Sequence, residues 1–168
     1  MESLAKLKPA FKKGGTTTAG NSSQVTDGAA AVVLARRSAA EKLGLPILAK
    51  FTDYHVAGCP PEIMGIGPAV AIPVLLERNK LKVNDIDIYE VNEAFASQAT
   101  YCVEKLKIDP KKLNPKGGAI ALGHPLGCTG SRQIATLIPE MYRTNAKKAV
   151  VSMCIGTGMG AAALIEKE

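Results

Sequence analysis

The side chains best suited to chemistry are an imidazole and a thiol, each set among glycines. His124 stands in Gly117-Gly118-Ala119-Ile120-Ala121-Leu122-Gly123-His124-Pro125-Leu126-Gly127-Cys128-Thr129-Gly130, and Cys154 opens Cys154-Ile155-Gly156-Thr157-Gly158-Met159-Gly160. Glycine lets backbone amides approach a bound group closely, at a cost in chain entropy. A histidine and a cysteine held that way point to acid–base chemistry on an acyl group. His124 precedes a helix, whose partial positive charge favours a neutral imidazole able to accept a proton. The Cys154 thiol, beside amides freed by glycine, is expected to lose its proton more easily and to act as base or nucleophile. Each residue has a plainer alternative: a histidine bonded to backbone in a tight loop, and a cysteine serving as a small core residue. Asn92, in Asn92-Glu93-Ala94-Phe95-Ala96, offers a carboxamide that either supports a developing oxyanion or caps the next helix.

These residues need elements to hold them. The chain begins with a basic, helix-compatible piece, and residues 14–23 are rich in turn formers and hydroxyls, hence a loop. Ala29–Ala35 is a short apolar run whose Val32 and Val33 favour a strand. Ser38-Ala39-Ala40-Glu41 is a capping-box pattern that starts a short helix stopped by Gly44. Strands are expected at Ile47–Val56 and Ile86–Val91. Helices are expected at Pro68–Lys80, with Pro73 near its first turn, at Phe95–Leu106, and from Gly127 to Tyr142. Two buried strands, Ala149–Cys154 and Met159–Ile165, join through the second glycine cluster. The alternation predicts a layered α/β domain, a mixed sheet covered by helices.

Bulk properties narrow the function. A chain of 168 residues with 46% hydrophobic content can bury a real core. Aromatics are 4% with no Trp, which argues against a base-stacking nucleic-acid surface. The net charge of +6 is spread over pairs such as Lys12-Lys13 and Lys147-Lys148, ordinarily a solvated surface. A polyanionic small molecule is the next partner such charge suits. Cys59, Cys102, Cys128 and Cys154 form no CxxC pair, so reduced thiols in an intracellular compartment are expected and no zinc pattern fits. There is no apolar run of membrane-spanning length and no Ser-Lys-Leu address at the C-terminus.

Taken in order, Thr16-Thr17-Thr18-Ala19-Gly20-Asn21-Ser22-Ser23, Met64-Gly65-Ile66-Gly67-Pro68, Asn92-Glu93-Ala94-Phe95-Ala96 and the two glycine motifs resemble the C-terminal half of the thiolases, specifically the degradative 3-ketoacyl-CoA thiolases. Gln24-Val25-Thr26-Asp27-Gly28 and Ser152-Met153-Cys154 are most similar to the peroxisomal type. The resemblance implies a thiolase-like C-terminal domain over 25–168, half of a layered αβαβα arrangement. Residues 1–24 would form an N-terminal segment with a coenzyme A-contacting loop.

The resemblance also implies roles. His124 would activate the nucleophilic cysteine and help bind the thioester oxygen. Cys154 would move a proton to or from the substrate α-carbon, and Asn92 would hold an oxyanion-hole water. The Gly156 N–H would serve the second oxyanion hole. Ser23 would contact the pantetheine arm, with Met64 and Phe95 near the acyl pocket. The implied reaction is thiolysis of 3-ketoacyl-CoA in fatty-acid β-oxidation, with coenzyme A as substrate, no tightly bound cofactor and no metal. Implied partners are acyl-CoA, the N-terminal thiolase half and further copies in a homo-oligomer, without nucleic acid or membrane. The implied location is peroxisomal, with mitochondrial and cytoplasmic alternatives.

The chain departs from the family in one respect. None of its cysteines lies in the Cys-x-Ser-Gly-like setting of the family nucleophile, so the resemblance implies an incomplete enzyme, inactive alone. Two other readings use the same residues: a non-catalytic coenzyme A-binding or assembly module, and a biosynthetic-type acetoacetyl-CoA thiolase. A ketoacyl synthase would place histidine where Asn92 stands, and a dinucleotide oxidoreductase needs a Rossmann glycine pattern that is absent.

Overall fold

The structure, a computed structural model, describes residues 2–168; Met1, the first residue of the expected N-terminal segment, lies outside them. Its helices are α1 (Glu2–Ala5), α2 (Arg37–Lys42), α3 (Gly67–Arg78), α4 (Ala96–Leu106), α5 (Ala119–Leu122) and α6 (Thr129–Thr144). Its strands are β1 (Ala49–Gly58), β2 (Ile88–Val91), β3 (Lys148–Ile155) and β4 (Met159–Lys167), in the sheet order β1-β4-β3-β2. β1 and β3 run antiparallel to β4, and β2 runs parallel to β3, so the sheet is mixed as expected.

Strand alternation divides the core between the two faces. Tyr89, Val91, Val150 and Leu164 pack beneath α3, where Ile72 and Leu75 are wholly buried. Ile88, Ala149, Val151 and Ile165 face α6 and meet Leu137 and Met141. Burying each such aliphatic side chain contributes roughly 1.5–3 kcal/mol.

The parallel pairing directs the backbone of Glu90 and Asn92 toward β3, where the Asn92 N–H donates to Ser152 O at 2.9 Å. The backbone N–H and C=O groups of Tyr89 and Val91 therefore point to the free edge of the sheet, and Asn114 closes that edge. Its N–H donates to Tyr89 O at 2.8 Å. Its side chain accepts from Val91 N–H and donates to Val91 C=O, each at 2.9 Å. One buried asparagine thus replaces part of a neighbouring strand.

Close approach demands glycine at Gly67 and Gly160. A Cβ at Gly67 would lie 2.6 Å from Met159 O, and one at Gly160 would overlap the Gly67 backbone. The start of α3 consequently rests on β4 backbone to backbone.

Three local expectations differ from the structure. Ala29–Ala35 is extended but forms no strand, and Val33 is 89% exposed. A strand needs a neighbour, and no residue of this segment pairs with the sheet. Ser38 sits inside α2, whose N-cap is Arg36 with no side-chain cap, so the capping box does not form. Pro73 lies inside α3 and not near its first turn, although the helix begins at Gly67, only one residue before the expected start. It is tolerated on the exposed side of the helix, where its ring faces solvent.

Candidate active site

β2 ends at Val91, and the chain turns through Asn92-Glu93-Ala94-Phe95 into α4. Asn92 is 1% exposed, and the N-cap of α4 is Phe95, so Asn92 does not cap that helix. Its Nδ2 instead lies 3.3 Å from His124 Nε2. An amide nitrogen only donates, so Nε2 is the lone-pair nitrogen. Nδ1 then carries the proton, which it gives to Thr129 Oγ1 at 2.7 Å. The imidazole is held at both nitrogens, with Nε2 arranged as a base.

The loop bearing His124 is fixed from two sides. The His124 N–H donates to Gln24 O at 2.8 Å, and a parallel bridge joins Val25 to His124. A 3-10 turn, Leu126–Cys128, then leads into α6. On the preceding side, Glu93 accepts from Asn114 Nδ2 at 2.9 Å and from Ile120 N–H at 3.3 Å. Any side chain at Gly118 would overlap that carboxylate, so glycine there lets Glu93 brace α5. Burial is the chief cause that lowers the proton affinity of His124, with the charge of Arg132 second. Both favour the neutral ring expected from its place before a helix.

A cleft of about 320 Å³ opens beside this pair, lined by Met64, Ala94, Phe95, Gln98 and Cys154 among others. Gln98 joins cleft to base, since its Nε2 donates to Asn92 O and its Oε1 accepts from Phe95 N–H, both at 3.3 Å. Ser23 closes the neighbourhood with its backbone N–H on Ala94 O at 2.9 Å and its hydroxyl on the same oxygen at 3.0 Å. Cys154 pairs with Gly160 across the β3–β4 hairpin. Burial pushes its thiol up, with Cys59 adding to the effect, so the group is a protonated acid and not the more acidic thiol expected. Gly156 lies in the exposed hairpin turn, where a Cβ would meet nothing within 4 Å.

The structure therefore gathers Met64, Phe95 and Cys154 around one cleft, with Ser23 bonded to its wall and the Asn92–His124 pair joined through Gln98. Gly156 stands apart on the turn. Sequence reasoning missed Thr129, Gln98, Glu93 and Asn114. Thr129 was within reach, lying in the His124 motif at a helix start. The role of Asn114 depends on a turn that brings it back to β2, and no local pattern announces that.

The family model for the thiolase C-terminal domain matches residues 45–167, and that for the thiolase N-terminal domain matches residues 1–38. The chain belongs to the thiolase family. This thiolase chain is 69% identical over 167 residues to the peroxisomal 3-ketoacyl-CoA thiolase of Homo sapiens, covering 99% of itself and 39% of that protein. It matches the crystal structure of the dimeric peroxisomal thiolase of Saccharomyces cerevisiae with a TM-score of 0.94 and 62% identity, over 99% of this chain and 42% of that one. Human mitochondrial 3-ketoacyl-CoA thiolase in complex with CoA matches with a TM-score of 0.93 and 48% identity, over 99% and 42% of the two chains. The thiolase chain thus spans about two fifths of the length of these relatives.

Proposed function

We propose that this chain supplies the acid–base half of a 3-ketoacyl-CoA thiolase site. With a nucleophilic cysteine from thiolase sequence outside these residues, it would cleave 3-ketoacyl-CoA to acetyl-CoA and a shortened acyl-CoA. The hydrogen-bonded row Asn92–His124–Thr129 beside the Cys154 cleft supports this reading most directly.

His124 Nε2 takes the proton of the incoming cysteine thiol, whose sulfur attacks the 3-keto carbon. The keto oxygen gains negative charge and needs donors placed in advance, a role assigned to the Gly156 N–H on its open turn. Collapse breaks the bond between C2 and C3 and leaves its electron pair on C2. Cys154 delivers its proton there and releases acetyl-CoA, which suits a thiol kept protonated by burial. The resulting thiolate takes the proton of incoming coenzyme A, whose sulfur displaces the acyl group and frees the nucleophile. His124 and the water held by Asn92 stabilise the thioester oxygen during these steps. Ser23 faces the pantetheine arm, while Met64 and Phe95 wall the acyl group.

Coenzyme A as a substrate, a homo-oligomeric assembly and a peroxisomal location belong to the same reading. They follow the CoA-bound structure, the dimeric structure and the peroxisomal relative. The test is thiolysis of acetoacetyl-CoA, followed by loss of enolate absorbance when coenzyme A is added. The chain alone is expected to be inactive, and a separately made N-terminal half is expected to restore turnover. Turnover by the chain alone, lost on changing one of its own cysteines, would sink the assignment of the nucleophile.

One observation favours a second reading, an assembly module. An apolar groove of about 900 Å³ lies away from His124, lined by Val33, Leu34, Leu48, Phe51 and Ile138 among others. Association with the N-terminal half that yields no turnover would favour it.

A further inference from the structure

The steps above leave unused a polar cluster buried between β2 and α6. Glu90 is 1% exposed, and its side chain meets α6, where Arg132 Nη1 lies 3.7 Å from its Oε2. Gln133, the next residue of α6, donates from Nε2 to Glu90 O at 3.1 Å. Glu90 Oε2 and Arg132 Nε and Nη1 are buried without a hydrogen-bond partner among the described residues. An ion pair removed from water and lacking a bidentate fork recovers little of its desolvation cost. Stability alone is a weak reason for such a pair.

Its neighbours supply a better one. Asn92 follows Glu90 by two residues, and Thr129 lies one helical turn before Arg132. Those two residues hold the two ring nitrogens of His124. The Glu90–Arg132 contact, with Gln133 on Glu90 O, thus ties together the two elements that grip the imidazole. We propose that Glu90 and Arg132 are positioning residues for His124, fixing the spacing of β2 and α6 and holding a positive charge beside the ring. The charged groups acting on Glu90 are Arg132 and Glu140 from α6 and Glu93 beyond the end of β2. Glu140 is itself paired with Lys116 at 3.3 Å and Arg143 at 2.5 Å, which leaves Arg132 as the cation acting on both Glu90 and His124. The use of this arrangement in catalysis rests on the thiolase reading; its existence does not.

The whole chain contains two histidines, so NMR titration of the imidazole protons reads His124 directly, with His124→Gln for assignment. Removing the charge in Arg132→Gln is expected to raise the proton affinity of His124 about threefold, the scale of a unit charge several ångströms away at a half-buried site. Arg132→Lys is expected to restore the wild-type midpoint. Arg132→Met is a second neutral variant, should the amide of Gln destabilise the fold. An unchanged midpoint in a neutral variant that keeps the wild-type amide spectrum overturns the proposal. So does a Lys variant that titrates like the neutral one. Should these shifts appear while the reconstituted protein fails to cleave acetoacetyl-CoA, the positioning pair stands and the functional reading falls.

Discussion

Replacing Asn114 tests whether one side chain stands in for a strand beside β2. Asn114→Ala removes three hydrogen bonds, two to the backbone of Val91 and one to Glu93. Val91 is 1% exposed, so its N–H and C=O would be left buried and unpaired. Each such group costs about 1–3 kcal/mol. Asn114 also has φ of 42°, a left-handed conformation in which alanine costs roughly 1 kcal/mol more. The loss expected in urea unfolding is therefore about 3–7 kcal/mol. Asn114→Gly shares the lost hydrogen bonds and escapes the backbone strain, so it is expected to unfold later than the alanine variant. Amide exchange at Asn92, next to the freed edge, is expected to quicken in both. A loss below about 1 kcal/mol in both variants, the size of an exposed substitution, would refute the reasoning.

The remaining expectations concern pH, glycine and the thiol. Burial raises the Glu90 carboxyl to about 7 in the folded chain, despite the opposing charge of Arg132. Glu90 thus contributes stability below its unfolded value near 4.5, and that contribution fades as pH rises through 7, by roughly 3 kcal/mol at most. Urea midpoints measured from pH 4.5 to 8 are expected to fall in the wild type and to flatten in Glu90→Gln; parallel curves would refute this. Gly160→Ala is expected to cost at least about 1–3 kcal/mol by overpacking against Gly67, whereas Gly156→Ala is expected to stay within about 0.5 kcal/mol in thermal unfolding. In the reconstituted enzyme, Cys154→Ala is expected to lower kcat about 10²–10⁴-fold without a matching rise in KM, as befits a proton donor. Equal changes in kcat for Cys154→Ala and Cys59→Ala would argue against that role.

Much of the architecture was legible because strongly periodic segments declare themselves. The apolar run at Ala149–Cys154 and the stripe on Phe95–Leu106 both became the expected elements, with bounds moved by only a few residues. Ala29–Ala35 was misleading because Val32 and Val33 report a preference, while a strand also requires an edge to pair with. His124 and Cys154 stood out because glycine clusters around them. Residues that act at a distance stayed hidden. Glu90 looks like one polar position in a strand until α6 is laid across it, and Asn114 looks like a turn residue until the turn returns to β2. The sequence also suggested an easily ionised thiol at Cys154, since glycine spacing shows freed amides but not the depth of the cleft.

The contact between Gly67 and Gly160 bears on how this cleft can change over evolutionary time. Gly160 is the register partner of Cys154, so the strand beside the thiol offers main chain at that position and no side chain to enlarge or trim. If the cleft takes an acyl group as proposed, a lineage adapting to a bulkier or slimmer one has no side chain to vary at Gly160. Met64 and Phe95 line the same cleft with side chains that can be exchanged for larger or smaller ones. On the proposed reading of the site, adaptation is thereby channelled into those side chains, and the distance between substrate and proton donor is protected from the drift that resizes the rest.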